Sequence, residues 1–365
     1  GAGGAAVAAG PAGEPTPPGV LRTMAAAFGD GLIGETGYEI AAAKCCSAAE
    51  KAEARQRGSS LLYGELLPDG VTKAMNRQRL GGALPSRPPA AAAGGAVVLE
   101  LGSGSGKVAM QVFLQCPEVS HVLGVELVQS RYAIGAAALR HLCSLKPEAY
   151  RGVQPTAVPG GVDAAKAACL EETRAGRRLE FQCADFFSLG LDLASKSDVI
   201  FFAVHIPCKL FPQLCKMLAK AKEGCRLFTY HALDSIWWVD QPCPFRQCEA
   251  NVQESDTFST SWSPQGYRFY VYVCDRGQKV PEIAGGLRNE TFSEWQPIWD
   301  EACQAYYFHN HETEESQWEA PHQAGCWRAE WSPEYSAYFF WHELSGHAQW
   351  EPPKCLADLG WTTSA

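Results

Sequence analysis

The chain has 365 residues, 46% of them hydrophobic and 19% charged, room and balance for two domains or for one globular domain with appendages. No apolar run approaches the roughly eighteen residues of a helical membrane span, which excludes one. The net charge is −9, but Leu61 to Asp275 holds 21 Lys plus Arg against 20 Asp plus Glu; the acidity sits in C-terminal runs such as "HETEESQWE", and with no basic run or arm strong unaided nucleic-acid binding is excluded.

In chain order, residues 1–30 are Ala, Gly and Pro with little to bury, and disorder is expected there. From about Leu32 to Arg57 alanines mixed with "EKAEARQR" predict a helix. Between Asn76 and Gly95, "LPSRPPAAAAGG" reads as a linker or loop. "AVVLEL" is then a buried strand, "KVAMQVFLQC" a helix, "HVLGVE" a second strand and "QSRYAIGAAALRHLCSL" a second helix. A polar, glycine-rich insertion fills roughly 147–177. After it come the strands "LEFQCA" and "DVIFFAV", the helix "KLFPQLCKMLAKAKEG" and the strand "CRLFTYHA". This alternation predicts a parallel sheet covered on both faces. "DTFSTSW" and "YRFYVYVCD", joined by the turn "SPQG", predict a closing antiparallel pair. An open parallel sheet closed in that way is the class I methyltransferase arrangement, an α/β, Rossmann-like fold.

The 15 cysteines form no C-x-x-C pair, and Cys243 and Cys248 in "CPFRQC" are too far apart for a zinc knuckle. No metal site is expected. Scattered cysteines in a chain of this size suggest reduced thiols in an intracellular protein.

"VVLELGSGSGK" carries the chemistry. A P-loop places four residues between its glycine and "GK" and follows the lysine with Ser or Thr; here three residues intervene and Val108 follows. The dinucleotide fingerprint is G-x-G-x-x-G, whereas this loop reads G-x-G-x-G. With Glu100 ahead of it, the pattern acid-x-G-x-G-x-G suits S-adenosylmethionine, whose amine and sulfonium are cationic and which has no phosphate. Glu126 ends the next strand, where a carboxylate can accept both ribose hydroxyls. Asp185 follows the third strand, placed to accept the adenine amino hydrogens while Phe186 stacks on the ring.

"YGEL" at Tyr63–Leu66, "ELGSGSGKVAMQ", "GVELVQSRYA", "ADFFSL", "DVIFFAV" and "TSWSPQGYRFYVYVCDR" occur in the order seen in one family. From Leu61 to Arg276 the chain resembles the non-SET histone H3 lysine methyltransferases of the disruptor-of-telomeric-silencing type. The resemblance implies that Tyr63 and Glu65 cover the cofactor S-adenosylmethionine, with Glu100, Gly102, Ser103, Gly104, Lys107, Glu126, Asp185 and Phe186 binding it. It further implies that Trp262, Phe269 and Tyr270 line a channel for the substrate lysine. The family has an asparagine pair after its fourth strand; this chain has "AVHIP", in which His205 is the polar group left to serve. The family's basic nucleosome-gripping segment is missing too. Base methyltransferases hold a planar amine with Asn/Asp-Pro-Pro-aromatic at this place, and "AVHIP" has neither acid nor amide.

Beyond Arg276 the sequence repeats with a period of 32: Trp295 matches Trp327, Trp299 matches Trp331, Phe308 matches Phe340, and "QWE" at 317–319 matches "QWE" at 349–351. Two copies of one small module explain this. Each resembles the all-β WW domain, with Trp295 and Pro321, then Trp327 and Pro353, as buckles. By that resemblance Tyr307 with Trp318, and Phe339 with Trp350, form grooves for proline-rich peptides. Copy two has His342 where copy one has Asn310.

The expected organisation is a disordered 1–30, a methyltransferase domain over 31–275, a linker over 276–291, and WW domains over 292–322 and 324–354. The expected activity is lysine methylation of nucleosomal histone H3 in the nucleus, with proline-rich partners held by the tandem tail. Two alternatives stay open: the same fold acting on another protein or on RNA, and a proline-motif adaptor whose methyltransferase domain is degenerate.

Overall fold

The computed structural model describes residues 15–29, 37, 40–56, 61, 63–88, 94–155, 166–190, 192–204, 206, 210–237, 242–253, 255–277, 295–300, 305–310, 316–317, 327–332, 337–342 and 348–351. The helices are α1 (Pro18–Phe28), α2 (Ala41–Lys44), α3 (Ala48–Gln56), α4 (Pro68–Ala74), α5 (Lys107–Gln115), α6 (Gln129–Leu145), α7 (Leu193–Lys196), α8 (Phe211–Leu218) and α9 (Leu233–Ile236). In the first part of the chain the strands are β1 (Ala96–Leu101), β2 (Val119–Glu126), β3 (Tyr150–Val153), β4 (Ala167–Glu172), β5 (Arg178–Cys183), β6 (Val199–Phe202), β7 (Arg226–Thr229), β8 (Phe245–Gln247), β9 (Thr257–Phe258), β10 (Tyr267–Arg268) and β11 (Tyr270–Cys274).

Nine strands form one sheet in the order β3-β4-β5-β2-β1-β6-β7-β11-β8. The five central strands from β5 to β7 run parallel, and β11 enters antiparallel between β7 and β8. Numbered by their place in the alternating βα run, the strands from β5 to β8 read 3-2-1-4-5-7-6, the class I methyltransferase order. The fold is therefore a Rossmann-like α/β sheet of that class.

Four local expectations need correction. Within 1–30, α1 is a formed helix: Met24, Ala27 and Phe28 recur at helical spacing and are buried in the main core, where α1 packs on α5 and α6. Alanine-rich composition hid that stripe; residues 1–14 lie outside the described residues. The helix expected over 32–57 is two, α2 and α3. Ser47 starts the second, its hydroxyl accepting the Glu50 N–H while the Glu50 carboxylate accepts the Ser47 N–H at 2.7 Å, a capping box. The polar insertion contributes β3 and β4, which extend the sheet: β4 pairs antiparallel with β5 and β3 antiparallel with β4. Finally, β9 and β10 form a separate two-stranded ribbon, so the closing pair is β11 with β8 instead.

Phe181 on β5 explains several glycines at once. A Cβ on Gly124 of β2 would stand 2.8 Å from its ring and one on Gly135 of α6 3.2 Å, while one on Gly106 would fall within van der Waals distance of the ring tip. The glycine loop, β2 and α6 thus share one aromatic peg.

The repeated tail forms two three-stranded sheets: β12 (Trp295–Asp300), β13 (Ala305–Asn310) and β14 (Ser316–Gln317), then β15 (Trp327–Ser332), β16 (Ala337–His342) and β17 (Ala348–Gln349). Their registers are superimposable on the sequence repeat: Trp295 pairs with Asn310 and Trp327 with His342, Phe308 with Gln317 and Phe340 with Gln349. Contacts divide the chain into a unit comprising 1–205, 213–232 and 241–279 and a second comprising 206–212, 233–240 and 280–365.

Candidate active site

The glycine loop leaves the carboxyl end of β1 and turns into α5. Gly102, Gly104 and Gly106 have φ of 75°, 56° and 81°, left-handed values that favour glycine. The N–H groups of Gly102 and Ser103 donate to the Val125 carbonyl at 2.8 and 2.9 Å, fixing the turn against β2. A Cβ on Gly102 would lie 2.8 Å from Val204, and one on Gly104 would lie 2.5 Å from the Tyr63 hydroxyl.

Two buried carboxylates flank the turn. Glu126 accepts the Gly104 N–H at 2.7 Å and the Val128 N–H at 2.8 Å. Glu100 accepts the Ala109 N–H at 3.0 Å in the first turn of α5. Burial pushes the Glu100 carboxyl well above the usual range, against the opposing Ala109 N–H; burial raises Glu126 as well, opposed by the Val128 and Gly104 N–H groups and the Arg131 charge. Desolvation disfavours the charged form, so both carboxyls gain when a cation arrives beside them.

Tyr63, Gly64 and Glu65 lie across the loop. The Tyr63 hydroxyl accepts the Ser105 N–H at 3.0 Å and donates to Glu65 at 3.1 Å, and Glu65 meets Lys107 at 2.6 Å in a nearly buried ion pair. The Arg131 guanidinium stacks over the Tyr63 ring at 4.5 Å and donates to the Leu61 carbonyl. The Glu65 N–H donates to the Ser261 hydroxyl at 2.9 Å, and its carbonyl accepts the Ser261 N–H at 2.8 Å. Ser261 precedes Trp262, and a Cβ on Gly64 would collide with the Trp262 indole.

These segments form an open-sided cleft lined by Tyr63–Leu66, Glu100, Gly102–Ser105, Lys107, Val108, Ala203, Trp262 and Phe269. One end carries the glycine turn and the carboxylates; the other is aromatic. Phe269 is fully buried, stacked on Phe228 at 4.6 Å and edge-on to Trp262 at 6.2 Å. Tyr267 lies beside Trp262, its ring parallel to that of Tyr230 and its hydroxyl 3.0 Å from the Tyr230 hydroxyl.

Seven of the cofactor residues expected from sequence meet here: Tyr63, Glu65, Glu100, Gly102, Ser103, Gly104 and Lys107 line the cleft, with Glu126 behind Gly104. Trp262 and Phe269 line it too. Tyr270 does not. Strand alternation turns it to the face opposite Phe269, where it pairs with Thr229, packs on Tyr272 at 6.3 Å and carries the Arg268 guanidinium at 5.1 Å. Tyr267, two residues before Phe269, packs behind the wall instead, its ring 5.6 Å from that of Trp262 and 5.7 Å from that of Phe269. Asp185 and Phe186 follow β5, the neighbour of β2. The Asp185 carboxylate accepts the Phe187 N–H at 2.9 Å, and Phe186 is buried edge-on to Phe202 at 6.3 Å; neither lines this cleft. His205 lies outside the described residues. Ser105, Ser261, Gly64 and Arg131 were not singled out from sequence. A cation in the first turn of α6, on the same helical face as the apolar Ala138 and Leu142, was the available signal for Arg131.

In the tail, Tyr307 lies in β13 and Phe339 in β16. Trp350 follows β17 and is 45% exposed, while Trp318, Pro321 and Pro353 lie outside the described residues.

The family model for the WW domain matches residues 292–321. No curated protein matches the chain. Among solved structures, TrmN from Thermus thermophilus is 16% identical, with 49% of this chain and 44% of that chain covered and a TM-score of 0.31. A variant of the 16S rRNA (adenine(1408)-N(1))-methyltransferase from Catenulisporales acidiphilia, with cosubstrate SAM, is 14% identical, with 55% and 92% covered and a TM-score of 0.28. This chain spans less than half the length of the TrmN chain. The assignment of the fold rests on the strand order and that of the first tail module on the family match.

Proposed function

We propose that the protein is an S-adenosylmethionine-dependent methyltransferase acting on a protein lysine side chain, with histone H3 in the nucleus as the leading substrate and the tail as a tandem WW module for proline-rich partners. The observation that carries this reading is the polarity of the cleft. Buried carboxyls and a left-handed glycine turn line one part of it, and the described lining also includes the aromatic rings of Trp262 and Phe269.

The residues fit such a cofactor. The turn over Gly102–Gly104 is a cradle that a side chain would fill, as the close approach of Val204 and Tyr63 shows. Glu100 and Glu126 are desolvated acceptors suited to a cationic, hydroxyl-bearing ligand. Gly102, Ser103 and Gly104 would hold its amino-acid portion, Glu126 the ribose, and Asp185 and Phe186 the base. When bound, S-adenosylmethionine supplies an electrophilic methyl group.

The aromatic end then sets the chemistry of the acceptor. An ammonium must shed a proton before its nitrogen can attack, and a desolvated environment lowers its pKa. Trp262 and Phe269 exclude water from the position where the amine must become neutral. Their ring faces also tolerate the cation formed after transfer. Apart from positioning, little else is required of the chain.

The deciding experiment is transfer of tritiated methyl from S-adenosylmethionine to reconstituted nucleosomes, resolved by gel. Label on histone H3 is expected. Unlabelled nucleosomes with intact cofactor binding would refute the histone substrate and turn the search to WW-recruited proteins; label on RNA in a lysate would refute a protein substrate. Absence of S-adenosylhomocysteine binding in a calorimeter would refute the enzyme reading and leave the WW adaptor.

A further inference from the structure

We infer that Thr16 is a phosphorylation site whose modification releases α1 from the wall behind the cleft. Thr16 stands directly before Pro17 in "EPTPPG", a hydroxyl followed by proline, the pattern that proline-directed kinases act upon. It is also the end of a partly buried chain of polar groups. Its side chain is 2% exposed. The Thr16 hydroxyl donates to the Asp69 carboxylate at 2.8 Å, the Thr16 N–H donates to the same oxygen at 2.9 Å, and the hydroxyl lies 2.9 Å from that of Thr72. Thr72 continues the chain to Gln115 and Gln111 at 3.1 Å each, so one run of hydrogen bonds joins the lead-in of α1, the first turns of α4, and α5.

This seat accepts a hydroxyl and rejects a phosphate. In the modification the Thr16 oxygen attacks the γ-phosphorus of ATP. The new O–P bond forms, the bond to the β-bridging oxygen breaks, ADP leaves, and the hydroxyl proton passes to the kinase base and solvent. The product has three acceptor oxygens and about 1.5 to 2 negative charges, and it has lost the proton that Asp69 accepted. The Asp69 carboxylate faces solvent, which screens part of its repulsion of a phosphate, but the Thr16 oxygen is packed against the buried Thr72, and a phosphate has no room there. The segment 15–17 has no regular structure and opens locally, exposing Thr16 to the kinase; once modified it does not reseat.

The consequence reaches the cleft. Met24 of α1 lines a small cavity with Glu65, Leu66, Lys107 and Gln111, backing the Glu65–Lys107 pair. Losing α1 removes that support, so, on the S-adenosylmethionine reading above, phosphorylation weakens cofactor retention.

The test treats the full chain with a purified proline-directed Ser/Thr kinase and ATP, maps phosphate by mass spectrometry, and follows tryptic cleavage after Arg22. That bond lies inside α1 and is protected while the helix is formed. Phosphate on Thr16, its absence in Thr16→Val, and cleavage after Arg22 about tenfold faster in the phosphorylated chain are expected. The inference is overturned if the kinase modifies a peptide of residues 10–24 but never Thr16 in the whole chain, or if the phosphorylated chain is cleaved no faster. S-adenosylhomocysteine calorimetry on both forms separates the two readings. Failure of the unmodified chain to bind refutes the cofactor assignment without touching the release of α1, and equal binding by both forms refutes the link from α1 to the cleft.

Discussion

Gly104 and Gly106 are two residues apart, share a left-handed φ, and should respond to alanine in different ways. In both, an alanine in the left-handed region costs about 1–2 kcal/mol. At Gly104 the added methyl meets Tyr63 at 2.5–2.9 Å, and Tyr63 belongs to a covering segment that can move aside. What is lost is the Tyr63 hydroxyl's bonds to Ser105 and Glu65, about 1 kcal/mol each. That loss falls on the closed cover and therefore on ligand retention: about 2 kcal/mol, or roughly 30-fold in the S-adenosylhomocysteine Kd. At Gly106 the methyl meets Phe181, which is 2% exposed and already wedged against Gly124 and Gly135. Overpacking there adds about 1–3 kcal/mol, and the total of about 2–5 kcal/mol falls on global stability. Calorimetric titration with S-adenosylhomocysteine beside thermal melts of both variants separates the effects. The reasoning is refuted if Gly104→Ala binds within twofold of the parent, or if it lowers the Tm as much as Gly106→Ala does.

Burial raises the Glu100 carboxyl well above its ordinary 4.5, so the folded state binds that proton more tightly than the unfolded one; the resulting stability is fully present below about pH 4.5 and lost as pH rises through the raised value. Melts from pH 4.5 to 8 should therefore fall more steeply for the parent than for Glu100→Gln. Glu50 behaves oppositely: burial would raise it, but hydrogen bonds from Ser47 and Ser130 outweigh that and bring it down to about 2. Its contribution is present above pH 4.5 and lost towards pH 2, and acid titration of Glu50→Ala by circular dichroism should show a shallower loss over that window. Trp262→Ala should lower single-turnover methyl transfer by about 10²-fold through misplacement of the acceptor, while S-adenosylhomocysteine still binds. Ser261→Ala removes the hydroxyl that accepts the Glu65 N–H and should cost about 1–3 kcal/mol of stability, visible in a melt as a lowered Tm.

The central sheet and its glycine loop were legible because their signals are local. Continuous apolar runs mark strands buried on both faces, and an acid-then-glycine turn has to be written in consecutive residues. The misjudged elements depend on distant partners. Nothing near Met24 and Phe28 announces that α5 and α6 will cover them, so an alanine-rich stretch resembled a disordered arm. β3 and β4 are half-exposed strands at the margin of the sheet, and the pairing of β4 with β5 and of β3 with β4 supplies order that their own composition does not. The misplacement of Tyr270 has a more specific cause. The ribbon β9–β10 breaks from the sheet before Phe269, so the aromatic run "YRFYVY" changes sheets partway, and Phe269 faces the cleft with Tyr267 packed against it while Tyr270 faces away.

The same break explains how the two ends of the cleft act as one. Ser261 holds both backbone groups of Glu65, and Gly64 lies so close to Trp262 that no side chain fits between them. The cover over the glycine loop is thus bonded to the hairpin that presents the aromatic wall. A movement that opens the cover must shift Trp262 or break those two hydrogen bonds. Exchange of the ligand at the polar end and exposure of the acceptor position at the aromatic end are then one event. In a methyl-transfer enzyme that coupling has a use: the aromatic wall is complete only while the cover is closed, so the acceptor site is dry when the cofactor site is shut. Lys107 gives the closed state its electrostatic component, because its pairing with Glu65 joins the cover directly to the first residue of α5, the helix on which the glycine turn ends.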